Sequence, residues 1–133
     1  GGFSFSGNAS RVRGRLTVPA LDGPIEEPVS RIQPLSGNLR LNWERNDVWA
    51  QAELALADRA DELSSGDLLD VERIPPGGTP GYALFNIRGG ARLGKSVVLT
   101  LAFNNLLDEA YRTHGSGNNE AGRHVLFGLQ LSL

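Results

Sequence analysis

VVLTLAFNNLLDEAYRTHGSGNNEAGRHVLFGLQLSL, residues 97–133, opens as an alternating strand, crosses a polar loop rich in Gly and Asn, and returns as a second alternating strand. Successive side chains of a strand point to opposite faces of its sheet. One set of alternate positions here reads Val97, Leu99, Leu101, Phe103 and then Val125, Phe127, Leu129, Leu131, Leu133, with no charge among them. A hairpin of a water-soluble domain buries such a face against a second layer. Whether this chain carries a second layer, or presents the face to an apolar solvent, decides its fold class.

The same period of two recurs along the chain, and helical periodicity is weak. Phe3, Phe5, Gly7 and Ala9 alternate with Ser4, Ser6, Asn8 and Ser10. Leu35, Gly37, Leu39, Leu41 and Trp43 alternate with Ser36, Asn38, Arg40 and Asn42. Val48, Ala50, Ala52, Leu54 and Leu56 oppose Trp49, Gln51 and Glu53, and Phe85, Ile87, Gly89, Ala91 and Leu93 oppose Asn86, Arg88, Gly90 and Arg92. The third of these runs is also rich in helix formers, but its neighbours set the pattern and it reads as a strand. The connections differ in length. Residues 44–47 and 94–96 are tight turns carrying Asn, Asp or Gly. Residues 13–31, 58–79 and 108–123 are long, polar and punctuated by Gly and Pro. In a meander, alternate connections fall at the same end. The chain therefore reads as all-β, an antiparallel up-and-down meander of about six strands, part of a transmembrane β-barrel. The apolar face is built for lipid.

Charges inside the strands agree. Arg40, Glu53, Arg88 and Arg92 all lie on the face opposite the apolar one, where a lumen would solvate them. Arg11 is the exception, in phase with Phe3 to Ala9, and is expected near the outer rim, snorkelling or meeting lipid phosphates. Trp43 and Trp49 flank a short turn, where an aromatic girdle belongs.

Composition narrows the function. The net charge is −2 over 133 residues, so nothing points to nucleic acid. With no Cys, disulfides, thiolate catalysis and Cys-based zinc sites are excluded. No apolar run approaches the roughly 18 residues of a transmembrane helix. There is no Met, even at position 1, so the sequence is expected to be a processed protein or a segment of a longer one.

The tail carries a family resemblance. PGGTPGYALFNIRGGARLGKSVVLTLAFNNLLDEAYRTHGSGNNEAGRHVLFGLQLSL resembles the carboxy-terminal strands of TonB-dependent outer-membrane receptors. The matching features are Pro80-Gly81-Tyr82 opening a strand, Asn105-Leu106-Leu107-Asp108 with Tyr111 closing the penultimate one, and Gly122-Arg123 leading into the last. The resemblance implies that residues 1–133 are the carboxy-terminal portion of such a barrel, in the outer membrane of a Gram-negative bacterium. Such a barrel has about 22 strands around a plugged lumen, so plug and remaining strands are absent from this sequence. It also implies uptake of a scarce nutrient (a ferric siderophore, cobalamin or a glycan) energised by TonB, which would be reached only through the missing plug. The expected partners are outer-membrane lipid, lipopolysaccharide and the rest of the barrel, with self-association of an isolated segment through its open edges. One departure is the carboxy terminus, where the family favours aromatics and this chain has Leu131 and Leu133.

A transporter is expected and no enzyme; no cofactor and no metal site is implied. Ligand contacts are expected on the long loops, at Tyr111, Arg112 and His114. His114 lies near Ser116 and Glu120, yet no strand–turn–helix nucleophile elbow surrounds the serine. Asp58, Asp61, Glu62, Asp67, Asp70 and Glu72 crowd one loop without a calcium-loop pattern. They read as a solvated surface, or as a site for divalent cations bridging lipopolysaccharide. The rival readings are a small β-module whose apolar face closes by dimerisation, and an outer-membrane barrel enzyme using Ser116 and His114.

Overall fold

The structure is a computed structural model that describes residues 1–132. Six strands form one antiparallel sheet: β1 (Gly2–Ser10), β4 (Ser36–Arg45), β5 (Val48–Ala57), β6 (Tyr82–Leu93), β7 (Val97–Asn104) and β8 (His124–Leu131). Their spatial order is their sequence order, so the meander is as the sequence predicts. Two further short strands, β2 (Arg15–Val18) and β3 (Ile25–Pro28), pair within the first long loop, and a five-residue helix, α1 (Ser65–Leu69), lies in the second.

The turns follow from their residues. Arg45 pairs with Val48, leaving a two-residue loop in which Asn46 takes φ +52°, a conformation Asn tolerates better than most residues. Leu93 pairs with Val97 across Gly94-Lys95-Ser96, with Gly94 at φ +66°. Both tight turns lie at one end of the sheet, and residues 11–35, 58–81 and 105–123 lie at the other. β5 is a strand despite its helix formers. It is hydrogen-bonded along its whole length, to β4 on one side and β6 on the other, and that pairing outweighs intrinsic propensity.

Register turns the alternation into two distinct faces. The row Phe5–Leu41–Ala52–Ile87–Phe103–Val125 crosses all six strands, as does Phe3–Trp43–Ala50–Gly89–Leu101–Phe127. These side chains have nothing over them: Phe3 is 74% exposed and Phe127 71%. The opposite face is a polar ladder. Arg40 Nε lies 2.7 Å from Glu53 Oε1, and Asn86 donates to the other oxygen of Glu53. Gln51 donates to Asn42, which donates to Ser4. Among the described residues, the buried apolar side chains are only Ala60, Ile74 and Leu84. A sheet of this size with no apolar core and its Phe, Leu and Val residues exposed is inside-out by the standard of a soluble protein.

Two expectations about individual residues are corrected. β1 stops at Ser10, because its partner β4 begins at Ser36 and the pair Ser10–Ser36 is the last. Arg11 therefore lies beyond the strand, in the loop layer, and not on the apolar face. Trp49 does not join Trp43 in a lipid-side girdle. It sits on the polar face over Gly90, where an added Cβ would come 2.7 Å from the indole Nε1, so the absence of a side chain at Gly90 makes room for the ring. Leu133 lies outside the described residues, so its place in the last strand does too.

Candidate functional site: the loop cap

The three long loops fold onto one another at one end of the sheet. Asp67 joins the first two. It is 2% exposed and closes a capping box on α1, accepting from the Ser64 amide while its own amide donates to the Ser64 hydroxyl. Its Oδ1 also accepts from the Ser30 hydroxyl at 2.6 Å and from the Arg31 amide at 3.2 Å. Burial works to raise the pKa of this carboxyl, but the Ser30, Ser64 and Arg31 hydrogen bonds together hold it below the ordinary carboxylate value. A second latch lies beside it, where Glu27 at the end of the small hairpin accepts from both the amide and the hydroxyl of Ser65. Arg31 completes the join through an ion pair to Asp70 at 2.7 Å. The acidic loop is therefore only partly a solvated surface, since Asp67 and Asp70 tie loops together.

The third loop enters through His114. Its ring is buried, with Nδ1 2.9 Å from Thr79 Oγ1 in the second loop, and its carbonyl accepts from Gln33 in the first. Burial pushes its pKa down, partly opposed by the Asp67 carboxylate. Tyr111 packs on Tyr82, ring centroids 4.8 Å apart. Its phenol is pushed up in pKa by burial, then by Glu120 and by Tyr82. Arg112 holds Asn119 Oδ1 with Nε and a terminal nitrogen, at 3.1 and 3.0 Å. His114, Arg112 and Tyr82 share a small cavity of about 80 Å³ with Gln33, Thr79 and Asp58. The three expected ligand residues thus fall in one region. Arg112 and Tyr111 are half-buried at its edge and His114 is packed inside.

A hydrolytic triad is not assembled. The Ser116 hydroxyl donates to the Asn118 carbonyl, His114 is engaged with Thr79, and Glu120 accepts from Thr113. Among the described residues no group of three His, Cys, Asp or Glu is placed to hold a metal ion. A larger cleft of about 370 Å³ adjoins the small cavity, between the first loop and residues 58–62, and arginines 11, 13 and 15 line it. Sequence reasoning passed over this cleft. The signal was present in Arg-Val-Arg-Gly-Arg, whose spacing of two puts all three arginines on one side of an extended chain.

The cap should loosen in acid. A neutral buried His114 favours the folded cap above its ordinary pKa of 6.5, and that stability is lost as pH falls from there towards the lowered folded value. Asp67 adds stability present above 3.8, lost as pH falls through its own lowered value. Hydrogen exchange at the loop amides, corrected for intrinsic rate, should show protection falling between pH 7 and 5 in the native protein. In His114→Gln, which cannot titrate, that first step should vanish and only the acid step of Asp67 remain. A pH-independent protection pattern in the native protein would rule out this account.

No family model matches the sequence, and no curated protein matches it. Among solved structures the chain is similar to one described as copper transporter OprC. The TM-score is 0.70 at 20% sequence identity, over 80% of this chain and 19% of that one. At that identity the likeness is one of fold: six antiparallel strands with the architecture of an outer-membrane barrel protein. The chain spans less than a fifth of the matched structure.

Proposed function

We propose that this chain is a wall segment of an outer-membrane transporter in a Gram-negative bacterium, with its long loops on the cell surface. One observation carries the reading. A six-stranded meander exposes an apolar face across all its strands and keeps Arg40, Glu53, Arg88 and Arg92 on the other face. The one strand charge of apolar parity is Arg45, at the turn end of β4. A charge on a lipid face costs about 2–4 kcal/mol at the bilayer midplane, so a membrane accounts for both faces at once. A dimerising module would need a partner layer over every strand.

The resemblance of the tail to TonB-dependent receptors supports a finer reading, TonB-energised uptake of a scarce nutrient such as a ferric siderophore, cobalamin or a glycan. Copper, the cargo in the name of the similar structure, fits these residues poorly. The chain has neither Cys nor Met, the soft ligands that select Cu(I), and both histidines are hydrogen-bonded elsewhere. From this segment a ligand would meet Arg112 and Tyr111 at the cap edge, and His114 once the cap opens.

Epitope insertion tests the topology. A tag between Ser116 and Asn119 should stain on intact cells, whereas one at Lys95 should stain only after the outer membrane is permeabilised. Staining of neither until lysis, or recovery in the soluble periplasmic fraction, sinks the reading. Growth of a deletion strain on ferric siderophores, cobalamin, glycans or copper as limiting nutrient, with and without TonB, then identifies the cargo.

A further inference from the structure

The cleft between the first and second long loops carries charges that the fold leaves unused. Arg11, Arg13 and Arg15 line it from one segment, and Asp58, Asp61 and Glu62 line it from another. Among the described residues none of the three arginines comes within 4.0 Å of a carboxylate oxygen, and none makes a side-chain hydrogen bond. On the acidic side the engagement is slight. Asp58 accepts from the Arg59 amide, Asp61 reaches Arg59 only at 3.9 Å, and Glu62 has no partner among the described residues. Opposite charges that could pair by closing the gap instead flank an open space of about 370 Å³, within the range of small-molecule sites.

With Arg59, the lining holds four arginines and three acids, a net of +1. The cleft is therefore nearly neutral as a whole, but residues 11–15 contribute only positive charge while residues 58–62, Arg59 included, are net negative. A polyanion would gain from the arginines and be repelled by the acids. A molecule with separated charges gains from both.

We propose that this cleft binds a small dipolar molecule, its anionic group on Arg11, Arg13 and Arg15 and its cationic group on Asp58, Asp61 and Glu62. The site is defined by its own charges and does not depend on which nutrient the protein transports. A zwitterion of this kind exists both free in solution and as a lipid headgroup, and the chemistry of recognition is shared.

Triglycine is the probe, compared with N-acetyl-triglycine, which lacks the ammonium, and triglycine amide, which lacks the carboxylate. The full chain is held in phosphatidylglycerol nanodiscs, and binding is measured by titration calorimetry at low salt, where exposed charges are least screened. A charge-assisted contact at each end gives triglycine roughly a tenfold advantage over either capped form. Arg13→Gln should reduce the advantage over the amide and leave that over the acetylated peptide. Glu62→Gln should do the reverse. Neither residue makes a contact that holds the fold, and each comparison is a ratio within one variant, so a small loss of folded protein does not alter it. Equal affinities for the three peptides, absence of binding by all three, or an unchanged pattern in both variants overturns the proposal. Repeating the titration in phosphatidylethanolamine nanodiscs separates the sources. Weaker triglycine binding there assigns the site to a headgroup, and unchanged binding assigns it to a soluble zwitterion.

Discussion

Leu129→Arg should cost on the order of 2 kcal/mol of stability in a bilayer, while Leu126→Arg should cost well under half of that. The two positions form a matched pair. Both are leucines of β8 and both are 56% exposed, so side-chain hydropathy and accessible area predict equal losses. They differ in parity. Leu129 pairs with Leu99 on the apolar face, whereas Leu126 pairs with Ala102 in the row that continues through Arg88, Gln51 and Asn42. If the first face meets lipid and the second meets water or polar protein, the arginine is desolvated at 129 and solvated at 126. Urea unfolding of both variants in bilayers measures the difference. Equal losses would mean that protein buries both faces. The reverse order would exchange inside and outside, since a shift of one residue flips every side chain of a strand.

The face assignment was legible because it rests on period two, which local sequence carries. Each of the six long strands shows it, and the turns at Asn46 and Gly94 lie where the alternation breaks. Strand ends were less legible, because they are set by the partner. Nothing in Arg11 itself says that pairing has stopped; the answer lies in Ser36, where β4 begins. Trp49 shows a different failure. Its parity placed it on the polar face, and nearness to the turn suggested a girdle role that the room above Gly90 overrules. Inside the long loops little could be read, since polar contacts between residues far apart in sequence decide those conformations. Ser30 and Asp67 are 37 positions apart, Gln33 and His114 are 81. One signal was available and unused: Ser64-Ser65-Gly66-Asp67 before Leu68 and Leu69 is a capping-box pattern, and it marks α1 and its buried carboxylate.

Asn105→Ala should lower stability by about 2–4 kcal/mol and release the third loop, through the loss of hydrogen bonds to buried groups. Asn105, in the tail motif, directly follows the last residue of the penultimate strand and is 2% exposed. Its Nδ2 donates to the carbonyls of Glu109 and Ala121, at 2.9 and 3.3 Å, and its Oδ1 accepts from the Glu109 amide at 2.9 Å. One side chain thus clamps both ends of the loop that carries Tyr111, Arg112 and His114. Its own amide is held by Asn86 Oδ1 at 2.8 Å, so strand β6 sets the position of the clamp. The backbone adds a second requirement, because Asn105 sits at φ +51° and Asp108, which accepts from the Arg123 amide, at φ +57°. Alanine loses the three side-chain bonds and also takes a left-handed conformation that costs about 1 kcal/mol. Asn105→Gly separates these contributions, since glycine meets the backbone requirement without strain but makes none of the bonds. It should recover about 1 kcal/mol relative to alanine and still lie well below the native protein. Asn105→Asp keeps the acceptor for Glu109 but turns a carboxylate oxygen towards two carbonyls, and should be no better than alanine. Urea unfolding gives the stabilities, and hydrogen exchange at the Glu109 amide locates the opening. A glycine variant as stable as the native protein would show that Asn105 is there for its backbone alone, and the clamp would be refuted.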